Sequence, residues 1–537
     1  MSQPVPHRGR WRPQLDRPAL VALVLGLAGV GYRLVLTLHT IPVSNSDEAT
    51  FGLAALHIAD GREWPVFLYG QRYMGMLESY LAAPLVALAG PSWPVLRLPL
   101  LALYAIFLWL IHRLTRRIGS PWFATLVVGL LALGSERVVR DQLTVVGGRP
   151  EVKVAVLVML LVVVGLARDT IRRRRLAVGL FGLLAGVAVW SDWLILPYVG
   201  VATVALLWAA RRDLLGWAGA LLVAGFALGV APMIRDNLVA PPGEDSLSVL
   251  REISTKAGTP PPLPQRVSGG VLEGVPLATG LCPVDGCARW QEWFGLLYPG
   301  LLVIAAVVAV VAYRRAADRA ARVGPVVHLA LVVGAALTLL SYARSPLAAT
   351  DPLGNARYLA VLQLSLPAVL WPLWRMAVAA RRGASGLAGR LAGGAAAAAL
   401  AALAATALAV TVLFATAGSA ASRTEERAAR ELADALRATG PHAVYGDYWT
   451  CNRLVFNTAE EVVCGVLDDW FTPGQNRYPP YWDRVAAAER PGYVVEAGST
   501  LERRLLRLLR DRADAAPVLD VGGYRVYHPE APVRPWR

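Results

Sequence analysis

Asp47 and Glu48 stand side by side in "SNSDEATFGLA", residues 44–54, just after the apolar run "ALVALVLGLAGVGYRLVLTL". A carboxylate there can take the proton from an incoming hydroxyl as a general base. The same pair also suits a plain helix start, because acids in a first turn are stabilised by the helix dipole. Ser46 would cap that helix and Gly61 would stop it. These residues alone do not choose between the two readings.

Other ionisable residues stand at matching places, just beyond or at the ends of later apolar runs: Glu78, Arg140, Asp141, Arg149, Glu151, Lys153, Asp192, Arg235, Asp236, Arg344, Asp351 and Arg357. Acids and bases thus gather at one level, which fits a reaction on a lipid-borne anionic group. A sugar on a polyprenyl phosphate would present its anomeric carbon at that face. Its leaving group is already a phosphate, so it needs cations more than a proton. Arg suits that task through bidentate geometry that Lys lacks, and charges at water-facing span ends avoid the cost of a mid-bilayer position. The expected catalytic residues are Asp47 and Glu48. Expected substrate contacts are Glu78, Arg140, Asp141, Arg149, Glu151, Arg357 and Tyr358. Glu78 equally fits a polar position on a surface helix. The glycines of "QLTVVGGRPE", between Asp141 and Glu151, allow a close backbone approach or a plain turn. Asp192 and Asp236 equally fit helix caps.

The elements that position these residues follow from composition. The chain has 537 residues, is 55% hydrophobic and has a mean hydropathy of +0.46. Several runs approach the ~20 residues a spanning helix needs, so a polytopic α-helical membrane protein is expected. The net charge of +15 does not mark a nucleic-acid binder, because it is spread over short loops and not on one soluble module. Lys153 and Lys256 are the only lysines. Placing Arg-rich loops on the cytoplasmic side gives about 11 spans. The order is a cytoplasmic tail 1–17, a transmembrane part 18–418 with outer loops 39–93 and 235–292, and an extracytoplasmic part 419–537. The N-terminus reads as a retained signal-anchor, and the location is the cell's inner or plasma membrane. Residues 74–90 are read as a helix on the outer surface, not a span.

The outer C-terminal part reads as a small α/β domain. Ser422 with Glu425 predicts a capping box, and Gly440 a stop. Strands are expected at "HAVYGDY", "EVVCGV", "GYVVEA" and in a hairpin over "PVLDVGGYRVYHP". Tyr445, Tyr448, Trp449, Trp470, Phe471, Tyr478, Tyr481 and Trp482 form either a sugar platform or ordinary core. All four cysteines fall on the outer side, where disulfides are allowed. Of the three pairings, Cys282–Cys287 and Cys451–Cys464 are favoured, each within one outer element; four free thiols are the alternative.

Four stretches carry a resemblance: "SDEATFGLAALHIADGREWPVFLYGQRYMG", "RLPLLALYAIFLWLIHRL", "GLLAGVAVWSDWLILPY" and "ARYLAVLQLSLP". In order and topology they resemble the GT-C glycosyltransferases, especially the protein O-mannosyltransferase and aminoarabinose-transferase-like bacterial proteins, over most of residues 15–380. The resemblance implies a GT-C-like fold and an enzyme moving a hexosyl or pentosyl group from a polyprenyl-phosphate donor to an extracytoplasmic hydroxyl on a protein, lipid or polysaccharide. It implies Asp47 as the catalytic aspartate, Glu48 as its partner or a cap, and Arg357 near the lipid phosphate. Many relatives carry Lys-Pro-Pro after the tyrosine of the first outer loop; "RYMGMLESY", with Glu78, stands here instead. No cofactor is assigned and no cluster has metal-ligand spacing, though outer carboxylates leave room for a divalent cation, which some GT-C enzymes use. The rival readings are a lipid-linked glycan ligase or polymerase, a transporter, and a sensor.

Overall fold

The computed structural model describes residues 16–256, 260–383, 386–509, 516–531 and 533–535; most of the expected cytoplasmic tail lies outside them. Among the described residues, ten helices are long and apolar enough to cross a membrane. They are α1 (Arg17–Leu38), α4 (Trp93–Ile118), α7 (Pro150–Ala167), α8 (Arg174–Ser191), α9 (Trp193–Ala210), α10 (Trp217–Val239), α11 (Arg289–Arg315), α12 (Arg319–Arg344), α13 (Pro352–Arg381) and α14 (Leu387–Thr439). An eleventh would be a broken pair, α5 (Pro121–Ala132) and α6 (Glu136–Leu143), bent by 92°. Between α1 and α4 lie α2 (Ser46–Ala59), a short hairpin of β1 (Phe67–Leu68) and β2 (Gln71–Gly75), and α3 (Leu77–Ala89). At 13 residues, α3 is shorter than a span.

The α5–α6 break has a definite partner. A helix end leaves carbonyls unpaired, and within a bilayer no water satisfies them. Buried Arg33 of α1 supplies the donors: it bonds the carbonyls of Ala132 at 2.8 Å and Leu133 at 3.0 Å, and reaches Gln142 of α6 at 2.6 Å. Its guanidinium lies over the Tyr104 ring, 4.1 Å from the centroid. The short α6 can therefore turn aside at this break.

The capping box expected at Ser422 is corrected by the structure. Helix α14 continues through residues 418 and 419, with a wider turn over Phe414–Gly418. Ser422 is interior to it and donates its hydroxyl to the Gly418 carbonyl at 3.0 Å. Residues 419–439 bring no proline, so nothing forces a stop before Gly440.

The C-terminal domain carries a five-stranded sheet in the order β4-β3-β5-β7-β6, with β3 (Ala443–Gly446), β4 (Val463–Val466), β5 (Gly492–Glu496), β6 (Leu519–Val521) and β7 (Tyr524–Tyr527). Pairs β3/β4 and β3/β5 are parallel; β5/β7 and β6/β7 are antiparallel. Gly522 and Gly523 turn the β6–β7 hairpin at φ of 61° and 83°, a conformation side chains resist. Helices α15 (Tyr448–Asn457), α16 (Pro479–Ala487) and α17 (Thr500–Leu508) complete the domain.

Helix α2 is buried between this domain and the bundle. One hydrophobic cluster joins Phe51 and Leu53 of α2 to Leu454 and Phe456 of α15. At the far end of α2, fully buried His57 bonds Tyr69 at 2.8 Å and Glu460 at 3.0 Å, and Tyr481 also donates to Glu460 at 2.7 Å. At its near end, Arg97 of α4 grips both oxygens of Glu48, at 2.7 and 2.5 Å, with both side chains fully buried. Arg97 also bonds the Pro42 carbonyl at 2.9 Å, and Glu48 accepts from the Val145 N–H at 3.2 Å.

Removing one partner of a buried ion pair leaves the other charge unpaired, at a cost on the order of 3–5 kcal/mol. Arg97→Met should lower the thermal midpoint of the purified protein by that much stability. The double change Arg97→Met with Glu48→Gln should cost less than the sum of the two single changes. The Glu460 contact carries a pH dependence. Burial raises its pKa, but bonds from His57, Arg62 and Tyr481 outweigh this and bring it down to about 2. Its folded value lies below the unfolded value of roughly 4.3, so its stabilisation is complete above that pH and is lost as pH falls toward 2. Limited proteolysis of the 57–69 segment should increase on acidification, and Glu460→Gln should remove that part of the dependence.

Candidate functional site

Asn45 caps α2, its side chain accepting from the Glu48 N–H at 2.9 Å. Neighbours on a helix point about 100° apart, so the acidic pair is split. Glu48 turns inward to Arg97, and Asp47 turns toward a cavity of about 400 Å³. The other ionisable side chains on that cavity's wall are Arg137, Arg140, Arg149, Arg357 and Arg453, with Glu425 at the rim. The expectation of Asp47 and Glu48 as neighbouring catalytic acids is thereby corrected: Glu48 has no exposed surface and both its oxygens are taken.

The arginines come from four elements and are held by a shell of acids. Arg137 and Arg149 both bond one oxygen of buried Asp141, at 2.8 and 2.7 Å. Arg140 bonds Glu136 at 2.7 Å. Arg453 of α15 reaches Glu425 at 3.3 Å and Glu426 at 3.4 Å on α14. Arg357 is different. Among the described residues it has no carboxylate partner; it lies over the Tyr358 ring and bonds that hydroxyl at 3.4 Å, while its Nε is buried and unpaired.

The loop before α7 forms part of the wall, and two further expectations are corrected there. Glu78 and Glu151 do not line the cavity; they sit behind the loop and hold it. Glu78 accepts from the Gly147 N–H at 2.8 Å. Glu151 accepts from the Gly148 N–H at 3.2 Å and from Ser191 at 2.6 Å. Burial and then the facing Glu151 carboxylate push Glu78 well above the usual carboxylate range, against the Gly147 bond and Arg149. Gly148 has φ of 73°, and a Cβ there would lie 2.2 Å from Asp192 Cβ, so the loop needs glycine at this point. Asp141 likewise is buried off the wall and acts by orienting Arg137 and Arg149.

The C-terminal domain reaches into the site. Asp47 Oδ1 accepts from the Tyr448 hydroxyl at 2.5 Å and from Arg477 at 3.0 Å, and Arg477 also bonds Tyr448 at 3.0 Å. Burial, and then the Asp47 charge, push the Tyr448 hydroxyl up, which keeps it a donor. Ser46 bonds the Tyr448 carbonyl. Both bonds to Asp47 fall on Oδ1, and Oδ2 has no hydrogen bond among the described residues. Trp449 lines the cavity beside Tyr448. Of the aromatic residues that fit either a sugar platform or ordinary core, Tyr445, Phe471 and Tyr481 are core, whereas Trp470 is exposed beneath Arg504.

All four cysteines are paired, Cys282 with Cys287 and Cys451 with Cys464. The second bond ties α15, which carries Tyr448 and Arg453, to β4; the first closes the loop that brings Val284 to the cavity. Among the described residues no group of three His, Cys, Asp or Glu side chains could hold a metal ion.

Sequence reasoning did not single out Arg33, Arg97, Arg137, Arg453 or Arg477. Arg33 and Arg97 had a usable signal, since each is a charge within an apolar span. Arg477 had none, being 430 positions from Asp47. A double-mutant cycle of Asp47→Asn and Arg477→Gln should show a coupling of about 0.5–3 kcal/mol in thermal unfolding; strictly additive effects would remove this contact.

No protein-family profile and no curated protein matches the sequence. Among solved structures, the chain is similar to ArnT from Cupriavidus metallidurans. The apo form aligns with a TM-score of 0.55 at 14% identity, covering 95% of this chain and 98% of that one. The form bound to undecaprenyl phosphate aligns at 0.54 and 15% identity, covering 95% and 97%. The oligosaccharyltransferase AglB from Archaeoglobus fulgidus aligns more loosely, at 0.47 and 13% identity over 89% of this chain and 69% of that one, too distantly to carry residue detail. The chain is thus a polytopic helical membrane protein whose fold is similar to that of ArnT.

Proposed function

We propose that the protein is a membrane glycosyltransferase that moves a sugar from a polyprenyl phosphate to an acceptor hydroxyl at the outer face, with inversion at the anomeric carbon. The observation that carries this reading is the placement of Asp47 on a cavity wall that also carries five arginines and one other carboxylate, Glu425, which pairs with Arg453. The fold is shared with ArnT, which has been solved with undecaprenyl phosphate bound. That ligand combines a long apolar chain with a phosphate, and this site offers guanidiniums beside apolar spans.

The chemistry is a single displacement. Asp47 Oδ2 takes the proton of the acceptor hydroxyl as its oxygen attacks the anomeric carbon. The bond from that carbon to the phosphate oxygen breaks, and the electron pair leaves on the phosphate. Arg357, without an acid of its own, receives that growing charge; Arg149 and Arg137, which share Asp141, lie on the same wall. Attack from the face opposite the phosphate inverts the configuration. Tyr448 and Arg477 fix the Asp47 carboxylate so that Oδ2 meets the acceptor, and the outer domain presents Trp449 where an acceptor would enter. The acceptor is an extracytoplasmic protein, lipid or polysaccharide hydroxyl, with the N-terminus on the cytoplasmic side.

Transfer from a panel of polyprenyl-phosphate sugars tests the assignment. Asp47→Asn should lose about 100-fold or more in kcat, as expected for a general base. Arg357→Gln should raise the donor KM as well as lower kcat. Retention of more than about a tenth of the rate by Asp47→Asn would remove it as the base.

A further inference from the structure

A second and larger cavity lies at the opposite end of the bundle. The end of α4 is tied to the start of α1 by Arg116 and Asp16, at 2.8 Å, and α5 begins three residues after α4. The groove runs between the start of α5 and the far ends of α11 and α13, with a volume of about 1330 Å³. That exceeds the roughly 300–1,000 Å³ of ordinary small-ligand pockets. Its walls are apolar, built from residues such as Ile304 and Val308, and three tryptophans line it: Trp122, Trp371 and Trp374. Tryptophan gathers at the level of lipid headgroups.

Four arginines complete the lining, Arg315, Arg375, Arg381 and Arg382, and no acidic side chain does. None of the four forms an ion pair among the described residues. Two other arginines at the same face are held: Arg174 pairs with Asp169 and Asp213, and Arg319 bonds the Ala209 carbonyl. An apolar trough with an aromatic rim and unmatched guanidiniums is complementary to acyl chains under a negative headgroup.

We propose that this groove binds a two-chain anionic phospholipid from the leaflet opposite the Asp47 cavity. The charge disfavours the other occupants at hand. The N-terminal residues before Asp16 carry Arg8, Arg10 and Arg12, and a second copy of the chain would bring the same four guanidiniums. The site is separate from the sugar-transfer chemistry and does not depend on it.

Native mass spectrometry of the purified full chain, exchanged into phosphatidylglycerol or phosphatidylcholine of equal chain length, tests this. The wild type should retain one phosphatidylglycerol with at least about a tenfold preference over phosphatidylcholine. The variant Arg375→Gln/Arg381→Gln/Arg382→Gln should lose that preference, and Val308→Trp, which fills the trough, should exclude both lipids. If the triple variant does not fold, judged by its thermal transition, Arg381→Gln alone should still reduce the preference severalfold. Equal retention of the two lipids by the wild type, an unchanged preference in the folded variants, or a lipid-free dimer seated on this face would each overturn the proposal.

Discussion

The buried pair of Glu48 and Arg97 is the constraint on which the Asp47 site depends. Two fully buried charges tolerate each other only with close geometry and with their remaining bonds filled. Here Arg97 takes both oxygens of Glu48, and the rest of the bonding goes to the Pro42 carbonyl and the Val145 N–H. One ion pair thus ties together α4, the approach to α2, the first turn of α2 and the loop before α7. Once Glu48 is pinned inward, the turn of the helix leaves Asp47 no direction but the cavity.

A similar economy of charge holds elsewhere on the wall. Each arginine at the site, apart from Arg357, is oriented by an acid that stands behind it, and the double-glycine loop is held by two carboxyls from the far side. A site of this kind can concentrate positive charge without loose side chains, because its positions are set before a ligand arrives. The C-terminal domain is part of this arrangement. It meets α2 at both ends, through Tyr448 and Arg477 near Asp47 and through Glu460 near His57, and a shared apolar cluster joins the two contacts.

Much of the fold is legible in the sequence, for a physical reason: spans announce themselves by length and apolarity, and arginine placement orders them. Reading residues 74–90 as a surface helix and not a span follows from the arginine rule, since a span there would reverse the side of the loop 112–120. The strands around β3, β4, β5 and the Gly522–Gly523 hairpin are visible as apolar runs bounded by turn residues. The continuity of α14 is not, because Ser422 and Glu425 match a helix start as well as they match a helix interior. At the site, Asp47, Arg140, Arg149 and Arg357 are readable as charges at span ends. Which of two adjacent acids faces the cavity is not readable, since Arg97 and Glu48 are 49 positions apart. Glu78, Asp141 and Glu151 look the same in sequence whether they touch a ligand or hold the loop and the arginines that do.

The central claim is that Asp47 stands open to an outer-face cavity that receives a lipid-carried phosphate. With all four native cysteines in disulfides, Asp47→Cys introduces the one free thiol. A membrane-impermeant maleimide should label it in right-side-out preparations, and added polyprenyl phosphate should slow that labelling. Labelling confined to inverted vesicles, or labelling at an unchanged rate with the lipid present, would contradict the account.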